Sequence, residues 1–286
     1  MMSQSVHRAT IGREVILEGV GLHLGQRCQL TFCPAPSGTG RVFVRTDLPD
    51  RPSIPAHASI AVSAERRTQL GVGAESLHTV EHVLAAVAGE EIDDIIMEMD
   101  AQEPPVLDGS ATIFVDALRG AGRVEYPAPP DWLTVTEPFR VEHGNSVYEA
   151  FPSDEFELEV MVDFPHPLIG RQELRLVVTP ESFGSELSAA RTFGFVHEVE
   201  ALQQKGLIQG ASTRNAVVIG PDGVVDNVLR WPDEFVRHKA MDCVGDLALA
   251  GARLRARIRA ERPSHSGTVS FVQALLARES SSVQAD

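Results

Sequence analysis

The sequence predicts an α+β protein in two halves, each combining a β-sheet with a pair of helices. Three observations carry that reading. Strand-like runs bounded by Gly and Pro open each half. Apolar residues at helical spacing follow in each half. A proline-containing stretch at 121–131 with few other signals separates them, placing domains over 1–126 and 127–286.

In chain order, strand signals fall at 14–20, 26–32 and 41–45. They are punctuated by Gly21-Leu22-His23-Leu24-Gly25 and Pro34-Ala35-Pro36-Ser37-Gly38. Residues 51–65 are irregular. A helix is expected over 75–88, where Leu77, Val80, Leu84 and Val87 recur at helical spacing and Gly89 is a natural stop. An isoleucine-rich strand over 92–99 follows. Asp108-Gly109-Ser110 then leads into a helix over 112–118, with Ser110 as its N-cap. The second half carries strand signals at 133–136, 146–151, 155–162 and 173–178, and helix signals at 180–189 and 197–205. Pro221-Asp222-Gly223 is a turn between two short apolar runs. A long helix is expected over 232–249, with proline at its start, acids in its first turn and Gly251 as its end. Residues 252–260 alternate, with Arg253, Arg255, Arg257 and Arg259 on one face. A last helix spans 268–278, and the Ser/Gln tail is expected to be disordered. No residue-level repeat links the halves.

Composition narrows the function. The 286 residues include 25 basic and 40 acidic side chains, a formal net charge of −15. Such a surface repels nucleic acid and anionic lipid, so no nucleic-acid partner is expected. An anionic substrate would need a local basic patch. No apolar run is long enough to span a membrane, and the N-terminus lacks the apolar core of a signal peptide, which predicts a cytoplasmic location. Three cysteines, with Cys28 and Cys33 on opposite strand faces and Cys243 remote, argue against a disulfide framework and a cysteine zinc site.

The chemistry-bearing residues are few. His238 and Asp242 lie four apart in the long helix, so their Cβ atoms should be roughly 5–6 Å apart, close enough to share an ion. Asp246 extends that line. Thr79-Val80-Glu81-His82 offers a third ligand and an adjacent carboxylate. Together, His82, His238 and Asp242 point to a catalytic zinc site with an open position, and Glu81 to its base. The plain alternative for 238, 242 and 246 is a solvated helix face. Glu81 and His82 sit in an apolar helix, where charge is costly unless paired or metal-linked. Lys239 would stabilise an oxyanion beside a metal. His265, in Pro263-Ser264-His265-Ser266-Gly267, reads as a loop histidine that titrates near neutrality and could protonate a leaving amine, or as a plain surface residue. Thr192, ahead of Phe193-Gly194-Phe195, could bond an oxyanion or simply end a helix.

Taken in order, several segments resemble one family. They are Gly19-Val20-Gly21-Leu22-His23, Thr79-Val80-Glu81-His82, Asp108-Gly109-Ser110-Ala111 and Arg191-Thr192-Phe193-Gly194-Phe195. Asp233 through Asp242, Gly245-Asp246-Leu247 and His265 before Ser266-Gly267 complete the set. The family is UDP-3-O-acyl-N-acetylglucosamine deacetylase, the zinc enzyme of lipid A synthesis in Gram-negative bacteria, and the likeness runs nearly end to end. It implies two similar domains, each a sheet on a helix pair, with the active site between them. It also implies a small insert in each, near 36–63 and near 193–225. The second would form an apolar passage for the substrate's acyl chain, with Phe193, Leu207 and Gly210 as substrate-binding positions. Carried over by position, His82, His238 and Asp242 would hold one Zn2+ (or Fe2+ in the cell). Glu81 would be the base, His265 the acid oriented by Asp246, and Lys239 and Thr192 would face the oxyanion. The implied partner is a UDP-acylglucosamine, met near the inner membrane without a membrane span by a monomeric enzyme. Residues 267–276 are less typical of the family, and His78 lies outside its signature.

Two other readings compete. His78-Thr79-Val80-Glu81-His82 satisfies the H-x-x-E-H signature of inverted zinc peptidases, with His78 and His82 as ligands. A non-catalytic nucleotide-sugar-binding module is the other. The arginine ladder 253–259 reads as a solvated face or as positive potential for a diphosphate.

Overall fold

Alternating apolar residues give each half a sheet with one face to bury, and the helices of each half cover it. The structure, a computed structural model, describes residues 6–283. The first half begins with β1 (Ala9–Ile11), β2 (Val15–Val20), β3 (Arg27–Pro34), β4 (Arg41–Arg45) and β5 (Ser53–Pro55). Three short strands, β6 (Ala61–Val62), β7 (Gln69–Leu70) and β8 (Leu77–His78), precede α1 (Glu81–Gly89). Then come β9 (Ile95–Met99), α2 (Thr112–Ala121) and β10 (Arg123–Glu125). The second half runs β11 (Trp132–Thr134), β12 (Phe139–His143), β13 (Ser146–Phe151), β14 (Phe156–Phe164) and β15 (Gly170–Val177). It continues through α3 (Pro180–Ser182), β16 (Phe193–Phe195), α4 (Val196–Gln204), β17 (Val217–Gly220) and β18 (Gly223–Val224). It ends with α5 (Glu234–Leu247), β19 (Arg253–Glu261) and α6 (His265–Val283).

The two main sheets share one plan. Their orders are β2-β3-β9-β4-β5 and β12-β13-β19-β14-β15, with β11 beside β19. In each, the late strand inserts at the centre, antiparallel to the second strand and parallel to the third. Each late strand is flanked in sequence by two helices, α1 and α2 or α5 and α6. The α+β fold with a repeated sheet-and-helix-pair plan is thus present, although no residue-level repeat announces it.

The leading helices of the two plans, α1 and α5, pack on each other. A Cβ at Gly245 would collide with the Glu81 carbonyl oxygen, so glycine permits that close approach. α1 is apolar nearly all round and buried, as a helix between two layers should be. Ion pairs also tie the halves: buried Arg253 reaches Asp93 at 2.6 Å and Glu91 at 3.1 Å, and Arg8, held by Asp94 at 2.6 Å within the first half, reaches the exposed Asp131 at 2.7 Å. No helix among the described residues is long and apolar enough to cross a membrane.

Several expectations are corrected. The helix expected from 75 starts at Glu81, because Leu77-His78 pairs as a strand and Thr79 takes φ 55. Leu77 and Val80 are buried all the same, so their apolar phase extends past the real helix start. Ser110 is not the N-cap of α2; that position is Ala111, and Ser110 Oγ accepts from Thr112 N at 3.3 Å. The expected helix over 180–189 is a single α turn passing into a π-helical segment, Phe183–Leu187. Residues 121–131 hold β10, which pairs with β1. Strand β12 gave no recognised signal. The first insert is not at 36–63, since β4 and β5 belong to the main sheet; a separate sheet β6-β7-β8 follows instead. His265 opens α6 rather than sitting in a loop. That helix runs past 278 to Val283, and the rest of the expected Ser/Gln tail lies outside the described residues.

Candidate metal and catalytic centre

Helical spacing turns His238, Asp242 and Asp246 toward one side of α5, and all three are buried. The first turn of α1 brings Glu81 and His82 to the same place. His82 Nε2 lies 3.5 Å and His238 Nε2 lies 3.4 Å from Asp242 Oδ1. One ligand atom from each of the three lies within 4.8 Å of the others. A tetrahedral ion bound at about 2.1 Å separates its ligands by about 3.4 Å, so the spacing fits a zinc-sized cation. The imidazoles stand edge to face, centroids 5.2 Å apart.

The polar atoms tell the same story. Asp242 Oδ1 is buried and has no hydrogen-bond partner, while Oδ2 accepts from Lys239 Nζ at 2.9 Å. A buried carboxylate oxygen left bare between two imidazole nitrogens is what a divalent cation would satisfy. The His238 Nδ1–H donates to the Ala190 carbonyl at 3.1 Å, which leaves the Nε2 lone pair toward the centre. Burial pushes the His238 pKa down to about 4, so the ring is neutral, as a ligand must be. Burial opposes the charge on Asp242, yet its neighbours, the Lys239 ammonium among them, hold its pKa well below the usual carboxylate range.

Acid and base groups face this trio. Glu81 Oε2 accepts from the Thr68 amide at 3.0 Å, and Oε1 lies 3.8 Å from His265 Nε2. Burial raises the Glu81 pKa, against the pull of His265 and His82. His265 Nδ1–H donates to Asp246 Oδ2 at 2.8 Å. Burial would lower the His265 pKa, but Asp246 and then Glu81 outweigh it and raise it to about 9. Lys239 is likewise opposed by burial and held above its ordinary range by Asp242, so it stays an ammonium.

A cleft of about 900 Å³ opens over these groups. Thr192 and Phe193 line it, and Phe193 packs edge-on to Phe235 and His238. The sheet β16-β17-β18 and α4 occupy the expected second insert and supply Phe195, Leu202 and Val218 to the apolar wall. Leu207 and Gly210 are not on that wall. Leu207 is buried and Gly210 presses on the Gly21 carbonyl, while their neighbour Ile208 faces the cleft. Opposite, Arg66 meets Glu198 at 2.5 Å and Lys205 meets Glu65 at 2.8 Å, joining the two inserts at the rim.

His78 stands apart from the trio. Arg67 Nε donates to its Nδ1 at 3.0 Å, and Ser76 Oγ lies 3.2 Å from its Nε2. It lies on β8, so the H-x-x-E-H residues do not share a helix and the peptidase reading loses its geometry. None of the four ladder arginines lines the cleft. Arg253 is buried in ion pairs, Arg255 lies over Trp132, Arg257 over Phe151, and Arg259 pairs with Glu149 and Glu261.

Two residues escaped the sequence reading. Thr68 touches both Glu81 and Asp246. Glu103 is buried and accepts from the His23 amide at 2.9 Å, the Leu24 amide at 2.7 Å and Thr79 Oγ1 at 2.6 Å, tying the His23 turn to the entry of α1. Neither belongs to a motif, and only an unexplained buried polar residue beside the site betrays them.

Two imidazoles flanking the bare oxygen of one carboxylate, with a second carboxylate and a third imidazole across from them, define a centre for metal-dependent hydrolysis. Residues 8–277 match the family model described as LpxC: UDP-3-O-acyl N-acetylglycosamine deacetylase, and the chain belongs to that family. It is similar to the UDP-3-O-acyl-N-acetylglucosamine deacetylase of Brucella melitensis biotype 2, with 41% identity over 277 residues, 96% of this chain and 97% of the relative. The enzyme of that name from Bdellovibrio bacteriovorus is 41% identical over 239 residues, 83% of this chain and 79% of its own. A bifunctional LpxC/FabZ enzyme of Chlorobaculum tepidum is 40% identical over 299 residues; they cover 94% of this chain but 64% of that longer protein, less than two thirds.

Proposed function

We propose that this protein hydrolyses the N-acetyl group of a UDP-3-O-acyl-N-acetylglucosamine, releasing acetate, in lipid A biosynthesis. The observation that carries the proposal is the bare, buried Asp242 oxygen between His82 and His238, beside the Glu81 carboxylate. Zinc is the metal we assign to His82, His238 and Asp242, with ferrous iron as the cellular alternative. When bound, it supplies Lewis acidity to the acetamide carbonyl and to water.

The chain's own groups do the rest. Glu81 Oε1 takes the proton of the attacking water, and burial favours that by raising its basicity. Lys239 Nζ and the Thr192 hydroxyl hold the oxygen that becomes negative in the tetrahedral intermediate. His265 Nε2 gives its proton to the departing amine, which leaves poorly unprotonated. Asp246 keeps the His265 ring oriented and charged for that step. The apolar wall of Phe193, Phe195, Leu202 and Ile208 takes the acyl chain. We place the enzyme in the cytoplasm as a monomer, near the inner membrane surface that its acylated substrate and product favour.

The test is acetate release from UDP-3-O-acyl-N-acetylglucosamine by zinc-loaded protein. Chelation should abolish release while circular dichroism stays native, and added zinc should restore it. A structural ion would instead unfold the protein on removal. Loaded protein that frees no acetate ends the proposal. His78→Ala should keep zinc and activity.

A further inference from the structure

Thr68 contributes no reacting group, yet it touches both sides of the acid–base pair. It lies just before β7, in the small sheet of the first half, and is 1% exposed. Its amide donates to Glu81 Oε2 at 3.0 Å. Its hydroxyl donates to Asp246 Oδ1, because a carboxylate can only accept. The same Oγ1 is 3.3 Å from His265 Nδ1, whose hydrogen goes to Asp246 Oδ2 at 2.8 Å. Asp246 is therefore gripped at both oxygens, by Thr68 on one and His265 on the other.

We propose that Thr68 is a positioning residue for both the base and the acid of the deacetylation, an inference that rests on the deacetylase reading. The hydroxyl fixes the plane of the Asp246 carboxylate, and that plane fixes the His265 ring so that Nε2 meets the leaving amine. The amide holds one Glu81 oxygen and leaves Oε1 for the water. The two effects separate by substitution. Thr68→Val keeps the amide and the branched shape but removes the hydroxyl. Thr68→Ser keeps both polar groups and drops a methyl. Without the hydroxyl, Asp246 Oδ1 loses its partner and the carboxylate can turn, so His265 spends less time in the productive orientation. Ground-state binding of the nucleotide and acyl groups does not depend on this, so the loss belongs in kcat.

Acetate release by zinc-loaded wild type tests the deacetylase reading first. Thr68→Val should then lower kcat by roughly 10- to 100-fold, the scale of a misaligned catalytic group, with KM within about twofold and zinc content unchanged. Thr68→Ser should recover to within about threefold of wild type. In an Asp246→Asn background, Thr68→Val should cost less than about twofold more, because the hydroxyl acts through Asp246. Equal losses in the Val and Ser variants, or full additivity with Asp246→Asn, overturn the inference. Imidazole proton–nitrogen spectra of metal-depleted protein give a readout that needs no substrate. The His265 Nδ1–H resonance should persist in wild type and Thr68→Ser and be lost to solvent exchange in Thr68→Val. An unchanged resonance in Thr68→Val overturns the role of Thr68 even in a protein that releases no acetate.

Discussion

The two halves follow the same strand order and the same helix pairing, yet they contribute unequally to the centre. The first half offers Glu81 and His82 from the opening turn of α1. The second offers His238, Asp242 and Asp246 along α5, Lys239 beside them, and His265 at the first residue of α6. The start of α2, the counterpart of α6, carries Ala111 and Thr112, neither of which lines the cleft. The inserts differ as well: a small three-stranded sheet in one half, a sheet with an added helix lining the cleft in the other. A repeated topology therefore decides where helices meet. It does not decide which half carries the chemistry; that depends on which side chains occupy the few positions facing the junction.

The largest expected effect on the asymmetry is at the proposed metal ligands. His238→Ala or Asp242→Ala should leave protein without stoichiometric zinc by metal analysis and reduce acetate release by more than about 10³-fold, since several kcal/mol of charge stabilisation go with the cation. Next comes the base proposed in the first half. Glu81→Gln should retain zinc while kcat falls roughly 10²- to 10⁴-fold; a variant that turns over normally would move the base elsewhere. Asp246→Asn probes the acid proposed in the second half. Asp246 is a main cause of the raised His265 pKa, about 9, so its loss lowers that value. An acid is active below its pKa, so the alkaline limb of kcat should shift to lower pH, and a limb that stays put would dissociate His265 from proton donation. Smaller still, Ile208→Ala should raise KM for the acylated substrate by roughly tenfold with little change in kcat, the worth of a small apolar contact. Smallest is Arg259→Glu on the outer sheet face. It should alter KM by less than about twofold, because an exposed pair is worth at most about 1 kcal/mol and the residue does not face the cleft.

The candidate ligands on α5, His238 and Asp242, are legible because helix geometry converts a four-residue spacing into proximity. Glu81-His82 was legible because charged neighbours in an apolar helix demand a reason. The helix start at 81 is hidden in the sequence because Leu77 and Val80 keep the apolar phase while Thr79 breaks the backbone. His265 was visible as a histidine but not as a helix start. Thr68 and Glu103 had no local signature, since each earns its role through partners remote in sequence.

What the chain's own order of residues determined is local: which segments alternate, which turn as helices, which side chains share a helix face, and how strongly the whole repels polyanions. Bringing residue 82 to 238 and 242, and 68 to 81, 246 and 265, was decided by tertiary packing alone. The reason is that spacing along one helix is set by backbone geometry. Distance between two helices is set by what can fit between them, here a glycine against a carbonyl at the junction of α1 and α5.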